Sequence, residues 1–549
     1  MTNRPPRPPR CADPRRILGR KGVGLWVNLY ALRSADDHGV GDFGHLARLI
    51  RATAGLGIDF IGLNPLHQIE NTAARTSPYF PLSRVWRNPL YIDLRAVPEL
   101  QGSDVRLWVS SRLRRRSHVD YDNVYAFKLA ALRRAHAVFV ERHFVPKTQR
   151  GKDYADFVDR GGEALLRHVI TIVAAGDDRS AAPPPRSQQA FTRFVEHRVE
   201  DLDFHAWLQF ETTRQLIALD HEARALGMRL GLYHDLAIGA APSSSEVLIE
   251  PSSYAMKASL GAPPDGYSQR GQVWNLIPFD PAALTRLRCA PFSALVTMNL
   301  VGGGMLRIDH VIGLVRQYWI GRGRDGRSGS FVEFPGAALF RRIASISQDR
   351  RAPIVGEDLG TIPPELPGLM RKYGVLSTRF MLFERDENGA FRAPSRYPRE
   401  ALATFANHDV VPLAGWMRGL DLPLRVRLGL LEAKRLPAAR RARRAEVAAF
   451  EAALREHGDL EQDDDPVAAS ARFLAATPCA LIALSFEDLA GETKPVNIPT
   501  ATNDVYPCWS RRMRHTVEQI TADPRFVRII TDVVARRRSV TRPGTSGTA

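Results

Sequence analysis

Two acids in the sequence stand at the ends of apolar runs, beside residues that would change their protonation. Asp309 lies in LRIDHVIGL, between Arg307 and His310, and Glu357 lies in GEDLG, directly before Asp358. A cationic neighbour favours the ionised form of a carboxyl group, which is the form that a nucleophile requires. Asp309 is therefore predicted to be an ionised nucleophile. A purely structural Asp–Arg pair would explain the same residues.

Glu357 and Asp358 are adjacent, so at the end of a strand they point to opposite faces and only one is expected in a pocket. A glutamate that faces another carboxylate has a raised pKa, which suits a general acid. The sequence favours Glu357 for this role. Asp358 would instead cap a helix ahead of Pro363 and Pro364.

A third acid, Asp409, ends the run FANHD and follows His408. The His-Asp pair is also typical of metal ligands, but the other histidines are scattered, so no metal and no cofactor are predicted. Two carboxyl groups about 5–5.5 Å apart are the arrangement of a retaining glycosidase. Aromatic rings that could pack on sugar faces accompany the predicted strand ends: Tyr79, Trp86, Tyr91, Tyr233, Tyr267, Trp274, Trp319 and Trp416.

The acids stand at the ends of short apolar runs, and helix-like segments separate these runs along the chain. This alternation predicts an α/β fold, a parallel (β/α)₈ TIM barrel, whose active site forms at the carboxyl ends of the strands. Asp235, Asp309, Glu357 and Asp409 fall at those ends. The eight runs are residues 22–34, 57–67, 228–239, 302–314, 353–360, 375–384, 401–409 and 479–491.

The 549 residues are expected to form one elaborated barrel rather than several domains. We predict a disordered Pro/Arg-rich tail over 1–20, a catalytic barrel over 21–530 and a basic, partly disordered tail over 531–549. Large helical insertions are expected at about 95–225 and 410–478. A separate C-terminal β domain is not expected.

Charge is the most unusual feature of the composition. The formal net charge is +17, and with only eight lysines it comes almost entirely from arginine. A strongly basic chain can bind nucleic acid, and residues 434–458 could form an RNA-binding helix. A solvated amphipathic helix packed on the barrel explains that segment better. Four scattered cysteines and the lack of an apolar targeting segment favour a cytoplasmic protein without a membrane partner. No RNP motif, zinc finger or Walker loop accompanies the basic segment, so no nucleic-acid partner is predicted.

The sequence resembles the 4-alpha-glucanotransferases (amylomaltases, or disproportionating enzymes) of glycoside hydrolase family 77. The resemblance extends from about Gly24 to Arg512. It is carried by residues 31–46, 61–67, 77–94, 231–239, 261–276, 306–314, 355–366, 407–416 and 496–509, which include SPYFPLSRVWRNPLYIDL, GAPPDGYSQRGQVWNL, LRIDHVIGL and VGEDLGTIPPEL.

The resemblance implies a role for each of the three acids. Asp309 would be the nucleophile, Glu357 the general acid/base and Asp409 the carboxylate that stabilises the distorted sugar. The substrates would be alpha-1,4-glucans, and the enzyme is expected to be a monomer. The residues implied to bind substrate are Arg307, His310, His408, Asp235, Ser77, Tyr79, Asn407, Trp274, Gln272 and Tyr267.

Two segments depart from the family pattern. The run NHDVVPLAGW replaces T-H-D-L-P-T-L-A-G-W, and NIPTATNDVYPCW lacks the usual glycine of the late motif. Residues 261–274 resemble the loop that covers the acceptor side, although an ordinary Pro/Gly connector has the same composition. A glucan hydrolase and a catalytically weakened glucan-binding relative therefore remain alternatives to a transferase.

Overall fold

Eight parallel strands close into a barrel in the computed structural model, which describes residues 8–102, 111–176, 182–183, 185, 187–264, 270–460, 465–499 and 501–539. Each strand pairs with the next along the chain, and the last pairs with the first. The barrel strands are β1 (Gly22–Val27), β2 (Phe60–Leu63), β3 (Gly231–Leu236), β4 (Met305–Ile308), β5 (Ile354–Gly356), β6 (Leu376–Phe380), β7 (Ala401–Thr404) and β8 (Leu481–Ser485).

Every one of these strands lies within one of the eight apolar runs, so the predicted (β/α)₈ barrel is confirmed. The strands are almost continuously apolar because the barrel buries both of their faces. Inside the barrel, Phe60, Met305, Val355 and Leu481 form one apolar cluster.

The helices pack around the barrel and in its insertions. Several begin at a side-chain cap, and in α2 the cap is reciprocal. The side chain of Asp42 accepts a hydrogen bond from the backbone of the first turn, and the side chain of His45 accepts one from the backbone N–H of Asp42. The helices are α1 (Pro14–Leu18), α2 (Phe43–Ala54), α3 (Ser111–Arg115), α4 (Tyr121–Phe139), α5 (Gln149–Ala174), α6 (Gln188–His197), α7 (Val199–Ala225), α8 (Ser245–Ile249), α9 (Pro281–Arg286), α10 (Ala290–Asn299), α11 (Gly336–Arg350), α12 (Leu366–Tyr373), α13 (Leu413–Met417), α14 (Asp421–Arg427), α15 (Leu436–His457), α16 (Pro466–Ala476), α17 (Phe486–Leu489), α18 (Val517–Thr521) and α19 (Pro524–Ser539).

The long segment between β2 and β3 is mainly helical. Helices α4, α5 and α7 share an apolar core in which Phe139, Trp207 and Phe210 are buried. Helix α7 also contacts β3 and α2, so its carboxyl half belongs to the barrel wall. A two-stranded ribbon, His67–Gln68 with Ser83–Arg87, precedes these helices.

An antiparallel sheet beside β4 was not predicted. It joins Ala258–Ala262, Gln272–Val273, Arg316–Gly321 and Ser330–Glu333, which come from both sides of β4 in the chain. Residues 261–274, which resemble the loop over the acceptor side, thus begin and end in strands, with Gly261 opposite Val273.

The basic segment after β7 is a packed helix rather than an isolated one. In α15, Phe450 is buried and its ring lies 5.8 Å from that of Phe405 and 5.5 Å from that of Trp416. Helix α16 packs against α19 and β8. It therefore forms part of the barrel wall, although it lies within the predicted insertion 410–478.

The prediction of a disordered tail over residues 1–20 is wrong for the part that the structure describes. Asp13 caps α1, and the backbone N–H of Cys11 donates to the carbonyl of Tyr373, so the segment packs under the barrel. At the other end, α19 continues past residue 530 because Val533 and Val534 are buried. Residues 540–549 lie outside the described part. Within the described residues, no helix is both long and apolar enough to cross a membrane.

Candidate active site

The predicted acids meet because neighbouring strands carry them. Asp235 on β3 is in register with Arg307 on β4, and Ile308 on β4 is in register with Gly356 on β5. Asp309 and Glu357 each follow directly after these strand ends. The barrel therefore places Asp235, Asp309 and Glu357 side by side at its carboxyl end.

Arg307 is the centre of this group. Its Nη1 donates to both oxygens of Asp235 at 2.7 and 2.6 Å and to the hydroxyl of Tyr79 at 3.2 Å. Its Nη2 donates to Oδ1 of Asp309 at 3.0 Å and lies 3.7 Å from Oε2 of Glu357. The planar guanidinium thus fixes two carboxylates at once.

The protonation of the two central acids is set by burial. Burial raises the pKa of Glu357 against the opposing effect of Arg307, which matches the direction expected for a general acid. Burial also raises the pKa of Asp309, and Arg307 lowers it less. This differs from the expectation of a readily ionised Asp309, because Arg307 is shared with Asp235 and nearby acids add negative charge.

The backbone positions Glu357. The N–H of His310 donates to its Oε2 at 2.8 Å. His310 has a φ of 45°, a left-handed conformation that is uncommon for a residue with a side chain and is found at functional sites. Burial lowers the pKa of His310 to about 4, so its ring is neutral near pH 7.

Asp358 points away from this group, as the alternation of side chains requires. It accepts a hydrogen bond from the N–H of Thr378 at 3.0 Å and pairs with Arg379 at 3.0 Å. The expected helix-capping role of Asp358 is therefore wrong, because its carboxylate joins β5 to β6 instead.

Asp409 stands at the rim of the site, and its side chain is 38% exposed. Its Oδ1 accepts a hydrogen bond from Nδ2 of Asn497 at 2.7 Å, and its backbone N–H donates to Asn407 at 3.1 Å. The ring of His408 stacks on Tyr79 with centroids 4.9 Å apart, and it lies 4.8 Å from Trp509.

A cavity opens beside these groups at the mouth of the barrel. It combines aromatic walls with convergent polar groups, which is typical of a small-ligand site. Its walls include Trp26, Asn28, Asn64, Tyr79, Asp235, Arg307, Thr378, Thr404, Asn407 and His408.

The remaining residues that were predicted to bind substrate contact the site in different ways. Trp274 packs edge-on against His310 with centroids 5.3 Å apart, and its indole N–H donates to Gln272 at 3.1 Å. The hydroxyl of Ser77 accepts the N–H of Tyr79 at 3.3 Å and so shapes the loop that carries that ring. Tyr267 lies outside the described residues.

Comparison with known proteins identifies the family. The chain matches the glycoside hydrolase family 77 profile, described as 4-alpha-glucanotransferase, over residues 27–518. The chain belongs to this family. It is 33% identical to a 4-alpha-glucanotransferase of Haemophilus influenzae over 92% of this chain and 77% of that protein. It is 34% identical to one of Mycobacterium tuberculosis, over 90% and 72% respectively.

Solved structures agree with this family assignment. The amylomaltase of Corynebacterium glutamicum superimposes with a TM-score of 0.84 at 28% identity, over 96% of this chain and 77% of that one. An amylomaltase of Streptococcus agalactiae, solved with acarbose, has the same fold, with a TM-score of 0.77 at 20% identity.

Sequence reasoning missed two residues of this glucanotransferase-family site, Asn497 and Trp509. Both lie in the departing motif NIPTATNDVYPCW, whose resemblance to the family is the one signal in the sequence that points to them. Asn497 contacts Asp409, and Trp509 contacts His408 and Tyr79. The departing motif therefore still contributes directly to the site.

No group of three or more His, Cys, Asp or Glu side chains in the described part of the chain is arranged to hold a metal ion. The His408–Asp409 pair contacts aromatic rings and an amide instead.

Proposed function

We propose that the protein is a 4-alpha-glucanotransferase that cuts an alpha-1,4-glucan and transfers the fragment to another glucan or to glucose with retention of configuration. Family membership supports the reaction class. The arrangement of Asp309 and Glu357 around Arg307 is the observation that carries the mechanism.

The separation of the two acids favours retention. Oδ1 of Asp309 and Oε2 of Glu357 lie 3.0 and 3.7 Å from the same nitrogen of Arg307, so they are no more than about 7 Å apart. Retaining enzymes hold their carboxyl groups about 5–5.5 Å apart, whereas inverting enzymes need about 6.5–9.5 Å to admit a water molecule. This upper limit excludes most of the carboxyl separations that inverting enzymes use.

In the first step, Glu357 donates its proton to the glycosidic oxygen while Asp309 attacks the anomeric carbon. The leaving glucan departs with a new hydroxyl group, and the fragment remains bound covalently to Asp309. The raised pKa of Glu357 supports its role as proton donor. Arg307 lies 3.0 Å from Asp309 and 3.7 Å from Glu357, so it opposes the effect of burial on both acids and contacts the proposed nucleophile more closely.

In the second step, Glu357 removes a proton from the acceptor hydroxyl, which attacks the anomeric carbon and releases Asp309. Asp409 would stabilise the oxocarbenium-like charge, held in place by Asn497. The walls of the mouth cavity and the Trp274–His310 pair would bind the sugar rings.

We further infer that the enzyme acts as a monomer in the cytoplasm without cofactor or nucleic-acid partner. A neutral glucan gains nothing from the net charge of +17. The packing of α15 through Phe450 supports a structural role for the basic segment.

Product analysis with maltotriose tests this function. We expect a ladder of longer maltooligosaccharides together with glucose, and we expect Asp309→Ala to abolish the ladder while the protein stays folded. Glucose and maltose without a ladder would indicate the hydrolase alternative. Unchanged maltotriose, despite binding in calorimetry, would indicate a weakened glucan-binding relative.

A further inference from the structure

A second cavity, of about 580 Å³, lies under the barrel at the opposite end from the acids. We call it the floor cavity. One wall is the N-terminal segment from Arg10 to Ile17, which includes the start of α1. The other wall includes Arg351 between α11 and β5, Gly374 and Leu376 before and at the start of β6, and Glu400 directly before β7.

The charges of the floor cavity do not balance. Of its two acids, Asp13 is held by the side chain of Arg15 through contacts at 3.1 and 3.0 Å, and Glu400 pairs with Arg10 at 3.0 Å. Arg15 also lowers the pKa of Asp13, so that acid is ionised and already neutralised.

Two further arginines, Arg16 and Arg351, remain on the rim. The side chain of neither forms a hydrogen bond or an ion pair within the residues that the structure describes, and both are exposed. Arg351 has a φ of 51°, in the left-handed conformation that ends α11. The floor cavity thus has four arginines and two acids, and within the described residues Arg16 acts on Asp13 only from beyond ion-pair distance.

We propose that the floor cavity binds a small organic phosphate of the size of a sugar phosphate. The guanidinium groups of Arg16 and Arg351 would hold the phosphate, because they present paired donors to its oxygens. The cavity is far larger than an inorganic anion, and Ile17 and Leu376 offer apolar surface to the carbon skeleton.

This site is separate from the catalytic centre. None of its lining residues borders the mouth cavity, and the bodies of the strands separate the two. The bound phosphate would connect the N-terminal segment to the starts of β5, β6 and β7. We therefore expect it to stabilise the docking of α1 without competing with glucan.

Calorimetric titration of glucose 1-phosphate into the full-length Glu357→Gln protein, with saturating maltotriose present, tests the proposal. Maltotriose fills the catalytic site, and the substitution prevents turnover. We expect saturable binding that weakens with salt, and at least tenfold weaker binding to the same protein carrying Arg16→Ala and Arg351→Ala.

The matched control carries Arg341→Ala and Arg528→Ala, two exposed arginines outside the floor cavity, which remove the same charge. Its affinity should equal that of the parent, and both double variants should melt at the parent temperature without ligand. Three results would each overturn the proposal: no binding of glucose 1-phosphate, equal affinity for inorganic phosphate, or equal weakening by the control pair.

Discussion

The mouth and the floor of the barrel both place arginine beside carboxylates, but the balance of the two charges differs. At the mouth, the single guanidinium of Arg307 is shared by Asp235 and Asp309 and lies near Glu357, so negative charge is in excess. At the floor, four arginines line a cavity with two acids, so positive charge is in excess.

The difference shows in protonation. Burial raises the pKa of the acids Asp309 and Glu357 at the mouth, whereas it lowers the pKa of the base Lys21 below the barrel. In each case burial disfavours the charged form of the side chain. At the mouth, the raised pKa of Glu357 suits the proton donor proposed above.

The largest expected effect separates the neighbours Glu357 and Asp358. Glu357→Gln removes the proposed proton donor and should lower kcat on maltotriose by more than about 1000-fold. Asp358→Asn weakens only the contacts to Thr378 and Arg379, so it should lower thermal stability and leave kcat nearly unchanged. Steady-state kinetics and melting curves of the two variants check this, and comparable activity loss in both would contradict the assignment.

Arg307→Lys tests whether the mouth depends on a shared guanidinium. An ammonium group cannot bridge Asp235 and Asp309 as the two nitrogens of Arg307 do, so kcat/KM should fall by about 100-fold. Arg379→Lys on β6 is the matched substitution, since Arg379 pairs mainly with Asp358. Equal kinetics for the two variants would show that one positive charge is sufficient at the mouth, without the paired nitrogens of a guanidinium.

The pH dependence of stability should reflect the buried acid Asp488 beside the mouth. Burial raises its pKa to about 7, while its carboxylate accepts the N–H of Leu413 at 2.7 Å. Between pH 4 and 7 the folded protein therefore keeps a proton that the unfolded chain has lost. The free energy of unfolding should fall as pH rises, by roughly 1.4 kcal/mol per pH unit from this group.

Asp488→Asn should remove that part of the slope, because the amide oxygen can still accept from Leu413. Urea unfolding at pH 4, 5.5 and 7 measures the difference from the parent protein. The exposed Glu141→Gln is the control and should leave the slope unchanged. A slope that survives in Asp488→Asn would assign the titration to other acids of the mouth.

For Lys21, below the barrel, the expected pH dependence of stability has the opposite sign. Burial, with Arg537 nearby, lowers the pKa of Lys21 to about 8, so between pH 8 and 10 the unfolded chain holds a proton that the folded protein has lost. Stability from this group should therefore increase as pH rises through that window. Lys21→Gln keeps a donor for the carbonyl of Thr477. Its stability relative to the parent should be greater at pH 7.5 than at pH 10, and a constant difference would contradict the interpretation.

The sequence was sufficient to predict the strands, because each is a short apolar run ended by a polar cluster, as at Asp309 and Glu357. Two kinds of feature escaped it. The antiparallel sheet joins segments on either side of β4, and such long-range pairing leaves no local signal. Trp509 reaches His408 from about a hundred residues away in the chain, so only the folded structure brings them together.

The protonation of Asp309 could not be predicted from its neighbours in sequence either. Arg307, two residues away, indicated an ionised carboxylate, but the folded protein divides that arginine between Asp309 and Asp235, which lies more than seventy residues earlier. The N-terminal segment shows the same limit. Its proline and arginine content is typical of a tail, yet Asp13 and Cys11 anchor it under the barrel.

The smallest expected effect concerns arginines that belong to neither end. Arg440 and Arg441 on α15 are exposed and have no ion pair within the described part of the chain. A neutral sugar is not steered by distant charge. The double variant Arg440→Gln with Arg441→Gln should therefore keep kcat/KM on maltotriose within about twofold of the parent, if only the charges around the two cavities matter. Assays at low and high salt should give the same ratio to the parent. A loss of activity at low salt alone would mean that the basic surface takes part in glucan capture, and the contrast would then extend beyond the mouth and the floor.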